Sequence, residues 1–351
     1  MSLKSIIQKK FQNLFVAIVL NENECAIQCK VVQDGALKKT FNKTFEITSF
    51  GEFLDKNIEN YLISLQDEYN FVYIAFLLNS MGQGAISGCS SENFIKHNVD
   101  MKNVSHVSVS NLWSSYASFI EIKWAKNLFS EVGLDLVFSP FIVLNDFIVS
   151  QKLKAKPTLY LLNYQDFFIL AIFEDHKLHF GAFFKTQSDT SFSNSAQVSD
   201  WENEVEEENI ATIEELPELI EKDDDSEEMT ELGDLSDIDD LKSVDSFSDF
   251  DDTKTIGHFK GLDEVREEDS NLELYGRDLL VYKYLKSSLE EYYHNPLYVS
   301  EFIEEIIIFD GYEVSSELIH QLEDELMMDV EIHKVDIADR MCDIAIKEVF
   351  K

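Results

Sequence analysis

Positive charge is scarce in this sequence of 351 residues. It contains 29 lysines and arginines against 67 aspartates and glutamates, which gives a formal net charge of −38. A field of that sign repels phosphate groups, so nucleic acid and anionic lipid are not expected as direct ligands. The imbalance is uneven, because residues 201–269 alone hold 28 acidic and 5 basic residues.

Cysteines and long hydrophobic runs are scarce as well. The four cysteines are too few for a disulfide framework in a chain of this length. Two of them lie four positions apart in a strand-like run, and we interpret them as buried free thiols rather than a metal pair. No run reaches the roughly 18 apolar residues that span a bilayer, and the start shows no signal-peptide pattern. These absences predict a protein of the reducing cytoplasm. The four cysteines of the sequence are Cys25, Cys29, Cys89 and Cys342.

Familiar catalytic motifs are missing too. The sequence has neither a phosphate-binding Gly-Lys-Ser/Thr loop nor a His-Glu-x-x-His zinc motif. His176 and His179 lie in a predicted hairpin turn, where solvated side chains are commoner than metal ligands. Asp310 and Glu313 form a carboxylate pair, but a turn that follows a strand often needs such residues structurally. We therefore predict no catalytic residue and no metal site.

The opening residues MSLKSIIQKKFQNL permit two interpretations. A short amphipathic helix with Lys4, Lys9 and Lys10 on its polar side would touch a membrane. A packed or frayed chain end needs no such contact, and it is the interpretation that we favour.

The next segments predict a mixed α/β lobe over residues 1–153. FVAIVL, CAIQCKVV and KKTFNKTFEI read as three strands separated by the turns NENE and QDGA. Apolar residues then recur at helical spacing over residues 50–65, and FVYIAFLL has the continuous apolar character of a buried strand. Residues 79–105 are polar and contain glycine, which indicates a small inserted subdomain.

The opening pattern then starts again. TLYLLN, from Thr158, resembles VAIVLN, and Asn21 matches Asn163 at an offset of 142 positions. The repeat predicts a second lobe over residues 154–187 and 270–351. Between these parts, residues 188–269 are rich in Ser, Asp and Glu and predict a disordered acidic insert. Its short apolar islands permit two interpretations, a partner-binding segment or a spacer.

After the insert, alternating helices and strands complete the second lobe. A long helix begins near Leu272, EEIIIFDG reads as a strand, and Ser315 is a candidate N-cap of the next helix. A strand and a final amphipathic helix follow. On one side of the long helix the sequence places Leu279, Leu280, Tyr284, Leu285 and Leu289.

This order of elements resembles the actin-like ATPase superfamily, in which both lobes begin with a three-strand meander. The likeness is strongest to the branch that contains PilM and the cytoplasmic domain of the secretion protein GspL. EVGLDLVFSPFIVLNDFIVS is similar to the passage between the lobes, and EEIIIFDGYEVSSELIHQLEDELMMDVEIHKVD is similar to the closing passage. The resemblance covers roughly residues 13–187 and 270–351, and it implies a two-lobed actin-like fold.

The resemblance also implies a degenerate nucleotide site. In nucleotide-binding members, each meander's first turn carries an aspartate for the metal and a glycine that lets backbone N–H groups approach phosphate. Here the first turn has Asn21 and Asn23 without glycine, and the second has Asn163 and the bulky Tyr164. The third motif, around Asp310 and Gly311, keeps one glycine. No cofactor and no ATP hydrolysis are therefore expected.

The resemblance finally implies a scaffold role. PilM-like proteins dock the cytoplasmic tail of a bitopic inner-membrane protein, such as PilN, and can form homo-oligomeric rings. The expected setting is cytoplasmic and peripheral to the inner membrane, with membrane contact only through partners. A type IV pilus, a type II secretion or DNA-uptake machine and a flagellar motor remain open. The alternatives are a divergent nucleotide-binding ATPase and an FtsA-like cytoskeletal protein.

Overall fold

The computed structural model describes residues 9–47, 53–151, 154–186 and 262–351. The described residues up to 186 and from 265 onward form one compact unit. Most of the acidic tract with predicted disorder lies outside the described residues, although one helix begins inside that tract at Leu262. The predicted amphipathic start lies outside them up to residue 8.

A five-stranded mixed sheet forms the first lobe. Its first three strands are antiparallel neighbours, as predicted for a meander, and the other two run parallel to the first. The second strand turns into the third at Asp34 and Gly35, whose φ angles of 53° and 74° suit a two-residue hairpin turn. In the order β3-β2-β1-β4-β8, the strands are β3 (Ala36–Glu46), β2 (Glu24–Gln33), β1 (Asn13–Leu20), β4 (Phe71–Leu77) and β8 (Leu136–Phe138).

The second lobe repeats the sheet of the first. Its strands have the same order and the same directions, so the predicted duplication is confirmed. Asn21 and Asn163 each lie at the end of the first strand of a lobe. In the order β11-β10-β9-β12-β13, the strands are β11 (Lys177–Lys185), β10 (Phe167–Glu174), β9 (Thr158–Asn163), β12 (Glu305–Asp310) and β13 (Asp329–Lys334).

Helices connect the strands, and capping residues fix where several of them begin and end. Ser315 caps the helix that begins at Ser316, as predicted, since its hydroxyl accepts a hydrogen bond from the Leu318 N–H at 3.2 Å. Beyond the helix that ends at Leu128, Gly133 has the left-handed conformation that favours glycine after a helix, with φ at 82°. The helices are α1 (Lys56–Glu68), α2 (Ser91–Lys96), α3 (Phe119–Leu128), α4 (Pro140–Ser150), α5 (Leu262–His294), α6 (Ser316–Asp324) and α7 (Ile337–Val349).

Three apolar cores cover both faces of each sheet. The central core lies between the two sheets and is filled by α4 and α7, where Phe147 stacks on Phe309 with ring centroids 5.3 Å apart. The outer face of the first sheet packs against α1 and α3, and that of the second against α5 and α6. Burial on both faces explains why β1 and β9 are apolar almost throughout.

A three-stranded antiparallel sheet is inserted after β4. Its strands are β5 (Gln83–Ser87), β7 (Trp113–Ser118) and β6 (Val104–Val109), in that order. The sheet extends past residue 105, the predicted end of the insertion, because β7 pairs with both other strands. It contacts the second lobe as well, since a Cβ atom built on Gly181 would lie 3.2 Å from the Ala85 side chain.

Candidate functional site

The turns that follow β1 and β9 meet each other directly. The Asn21 side-chain amide donates to Gln165 Oε1 at 3.2 Å, and the Glu22 N–H donates to Asp166 Oδ2 at 3.0 Å. Asn21 and Asp166 are both buried. The place where the two lobes face each other is therefore closed by protein groups from both sides.

Arg277 of α5 supports the second turn from within its own lobe. Its guanidinium donates to Asn163 Oδ1 at 2.5 Å, to the Tyr164 carbonyl, and to the Gln165 carbonyl at 3.2 Å. The side chain is buried beside Asp278. No sequence motif marks Arg277, although it precedes the buried Val281 by four positions and so lies on the same face of the helix.

The predicted third motif joins the same cluster. Asn163 donates to Asp310 Oδ1 at 2.8 Å and to the Glu313 carbonyl at 3.1 Å, while the Gly311 N–H donates back to the Asn163 carbonyl at 2.9 Å. A Cβ atom on Gly311 would lie 3.2 Å from the Tyr164 ring, so glycine permits the ring to pack here. Asn21, Asn163, Tyr164, Asp310 and Gly311 are thus brought together as one connected set.

Asn23 and the histidine pair lie outside this set. The Asn23 side chain is exposed, and its carbonyl accepts from the Ile47 N–H at 2.8 Å, just beyond β3. His179 faces Glu174 across the β10–β11 hairpin, with Nε2 at 3.2 Å from Oε2. Among the cysteines, Cys25, Cys29 and Cys342 are buried free thiols.

Burial alters the ionisation of the cluster. It raises the pKa of Asp166 to about 6, although the hydrogen bond from the Glu22 N–H opposes that rise. Burial also raises the pKa of Tyr164 to about 12 and lowers the pKa of Arg277, which the nearby Asp278 opposes. At neutral pH Asp166 is therefore mostly a carboxylate and Tyr164 a neutral phenol.

These residues do not fit the phosphates of a nucleotide. A phosphate-binding turn presents backbone N–H groups to its ligand. Here the Asn21, Glu22, Tyr164 and Gly311 N–H groups all donate to protein oxygens at 2.8–3.0 Å. Asn21 Oδ1 is buried without a hydrogen-bond partner among the described residues, but it is an acceptor and would repel phosphate oxygens.

The cleft beside the cluster is small. It measures about 260 Å³ and runs between β2 and β3 of the first lobe and the start of α7. Sites for small molecules and cofactors typically measure about 300–1,000 Å³. The cleft is therefore smaller than the usual range.

A second contact between the lobes joins β2 to α7. The Lys30 ammonium of β2 lies 2.8 Å from the Asp339 carboxylate and 2.7 Å from that of Asp343, both on α7. Gln28 donates to Asp339 Oδ1 at 3.2 Å. The Cys342 thiol donates to the Gln28 carbonyl at 3.3 Å, so α7 is fixed to the first sheet by polar as well as apolar contacts.

Two sheets of identical order and direction, packed around one core with their first turns in contact, define an actin-like fold. Residues 159–350 match a family described as a domain of unknown function (DUF8341), and the chain belongs to that family. Residues 11–145 match a second domain of unknown function (DUF8569). No curated protein matches the chain significantly.

Several solved structures are similar to the chain. An actin-like ATPase fold protein of unknown function from Bacteroides thetaiotaomicron is 12% identical, with a TM-score of 0.44 over 97% of this chain and 98% of that one. A PilM-PilN type IV pilus biogenesis complex gives 11% identity and a TM-score of 0.47 over 94% and 90%. The ethanolamine utilization protein EutJ from Carboxydothermus hydrogenoformans is 7% identical, with a TM-score of 0.41 over 96% of this chain and 90% of that one.

Within the part of the chain that the structure describes, every helix is too short or too polar to cross a bilayer.

Proposed function

We propose that this chain is a non-catalytic, PilM-like scaffold, and that its actin-like fold no longer binds or hydrolyses ATP. The observation that carries the proposal is the direct contact between the two turns. The Glu22 N–H is bound to Asp166, and Asn21 is bound to Gln165, where nucleotide-binding members of the fold hold phosphate. A protein with this closed cluster acts through its surface rather than through chemistry in the cleft.

The proposed partner is the cytoplasmic tail of a bitopic inner-membrane protein. This partner class follows from the resemblance to PilM, and one of the similar structures is a complex of PilM with PilN. Docking to such a tail would hold the chain at the cytoplasmic face of the inner membrane. Assembly into a ring within a pilus, secretion or flagellar machine belongs to the same proposal.

The inserted sheet offers a surface for such a tail. Among the strands that the structure describes, β6 lies at the edge of its sheet, with β7 as its neighbour. Val107 of β6 is 60% exposed. An extended peptide can add to an edge of this kind through main-chain hydrogen bonds, with side-chain contacts providing specificity. We place the docking site along β6.

Site-specific photo-crosslinking in native membranes tests this placement. A photo-reactive residue at Val107 is expected to form an adduct with one bitopic inner-membrane protein, identified by mass spectrometry. The same residue at Glu317, exposed on α6 in the second lobe, provides the control and is expected to give no such adduct. Adducts with soluble proteins alone, or equal adducts at both positions, would contradict the proposal.

A further inference from the structure

Four lysines lie on adjoining segments at one end of the first lobe. Two of them pack on aromatic rings, since the Lys9 ammonium lies 5.4 Å from the centroid of the Phe350 ring and the Lys39 ammonium 4.7 Å from that of the Phe41 ring. Lys9 and Lys10 precede β1, and the chain here is held to the β2–β3 turn. The Asp34 N–H donates to the Lys9 carbonyl at 2.7 Å, and the Gln33 amide donates to the Lys10 carbonyl at 2.9 Å. Lys38 and Lys39 follow that turn on β3. We call this group the basic corner, and it also includes Phe11 and Leu37.

Two apolar side chains stand exposed among these lysines. Leu37 is 57% exposed and precedes Lys38 on β3, and Phe11 is 44% exposed and follows Lys10. Phe11 packs edge-on against Phe71, with ring centroids 5.9 Å apart, which fixes its position while leaving part of the ring in solvent. The corner therefore combines positive charge with exposed apolar surface.

The charge of the corner is locally positive although the whole chain is strongly negative. Asp34 is the acidic residue within the turn, against three exposed lysines, Lys10, Lys38 and Lys39. At physiological ionic strength, charges more than about 8 Å away are largely screened. The acidic residues elsewhere in the chain thus weaken, but do not cancel, the attraction of this corner for a negative surface that touches it.

Lysines on an edge strand can also have a purely protective role, because they discourage pairing with another sheet. β3 is an edge strand of the first sheet, so this explanation applies to Lys38 and Lys39. It does not account for Lys10, which lies before the start of β1, whereas Lys9 is engaged with the ring and carbonyl of Phe350. It also fails for Leu37, since an exposed leucine on an edge favours association.

We propose that the basic corner binds the surface of an anionic bilayer directly. The exposed Lys10 and Lys38 would contact lipid headgroups, while Phe11 and Leu37 enter the interfacial region, where apolar and aromatic side chains beside lysines are stable. This contact is additional to the partner-mediated membrane contact of the proposed scaffold and does not depend on that partner. It departs from the expectation, drawn from the net charge of the chain, that anionic lipid is not a direct ligand.

Co-sedimentation of the full-length chain with lipid vesicles tests the proposal. Vesicles of phosphatidylcholine with about 30% phosphatidylglycerol are compared with pure phosphatidylcholine, each at about 0.1 M and 0.5 M salt. We expect binding to the anionic vesicles at low salt only. The variant Lys10→Glu/Lys38→Glu is expected to bind at least tenfold more weakly, since each lysine near such a surface contributes about fivefold.

A matched control carries the same change of charge elsewhere. Lys96→Glu/Lys102→Glu alters two exposed lysines of the insertion, which follows the opposite end of β4. This control is expected to bind as the wild type does. Equal loss in both double variants, or a wild-type chain that does not sediment with anionic vesicles, would overturn the proposal.

Two further measurements separate a bilayer from a soluble polyanion. Leu37→Ser leaves the charge unchanged and is expected to reduce vesicle binding at least twofold. Soluble polyglutamate is expected to bind more weakly than the vesicles do, and Leu37→Ser should not change its binding. If polyglutamate bound as tightly as vesicles, and Leu37→Ser changed neither affinity, the corner would be a site for acidic protein and the proposal would be wrong. Circular dichroism confirms that each variant is folded.

Discussion

Asp166 shows how one side chain can link two lobes at an energetic cost. Its carboxylate accepts the Glu22 N–H across the cleft, yet burial raises its pKa to about 6 from an ordinary value of 3.8. An acid with a raised pKa binds its proton more tightly in the folded chain than in the unfolded one. Stability therefore falls as the pH rises from about 4 to about 6, and the loss persists at neutral pH.

Replacing Asp166 with asparagine tests this balance. The amide would keep an oxygen for the Glu22 N–H but carry no charge, so the variant is expected to be more stable than the wild type at pH 7, by up to about 3 kcal/mol. The difference should disappear near pH 4, where the folded chain holds Asp166 protonated. Urea denaturation at several pH values measures it. Asp67→Asn, an exposed control, should change stability by less than about 0.5 kcal/mol. A pH-independent gain at position 166 would contradict this explanation.

Residue patterns predict only part of the candidate site. Asn21 and Asn163 are recognisable because equivalent strands end at them, and Tyr164, Asp310 and Gly311 follow from the same alignment of turns. Arg277 and Asp166 cannot be recognised from the sequence, because their roles depend on contacts between parts of the chain that are far apart in sequence. Asn23 belongs to the first turn in sequence, but its side chain is exposed and lies outside the connected set.

At the scale of elements, strands are easier to predict than the insertion and α5. β1, β4 and β9 are apolar runs in the sequence, and the structure buries most of their residues. β7, with the sequence WSSYAS, has no such run, which is why the insertion extends further than predicted. On α5, Leu279 and Tyr284 are exposed, contrary to the predicted face, and Val281, Leu285, Leu289 and Tyr292 form the buried one.

Lys30 connects the first sheet to the helix α7, so its removal is expected to lower the stability of the folded chain. Lys30→Ala removes an ammonium group that is almost fully buried between Asp339 and Asp343. Both carboxylates remain partly exposed and can be rehydrated, so we expect a loss of about 2 kcal/mol, less than for a fully buried pair.

Chemical denaturation of Lys30→Ala measures this loss, and Lys38→Ala serves as the matched control. Lys38 lies on the neighbouring strand with its side chain in solvent, so its removal should cost less than about 0.5 kcal/mol. A similar loss of stability in both variants would mean that Lys30 acts by reducing the net negative charge of the chain rather than through its contact with α7.

At the scale of the whole molecule, several contacts among the described residues join the two lobes. The first turns bind each other, α7 binds the first sheet, and the inserted sheet packs against β11. Together with the central core, these contacts favour a closed arrangement of the lobes without a ligand between them. A nucleotide would have to break the bonds of Glu22 to Asp166 and of Asn21 to Gln165 before its phosphates could enter.

Calorimetric titration of the purified full-length chain with Mg-ATP and Mg-ADP tests the central claim most directly. We predict no saturable heat up to millimolar nucleotide, and no shift of the melting temperature under the same conditions. Saturable binding of either nucleotide would show that the contact between the turns opens and that Asn21 and Asn163 accommodate phosphate, and the scaffold proposal would then be contradicted at its basis.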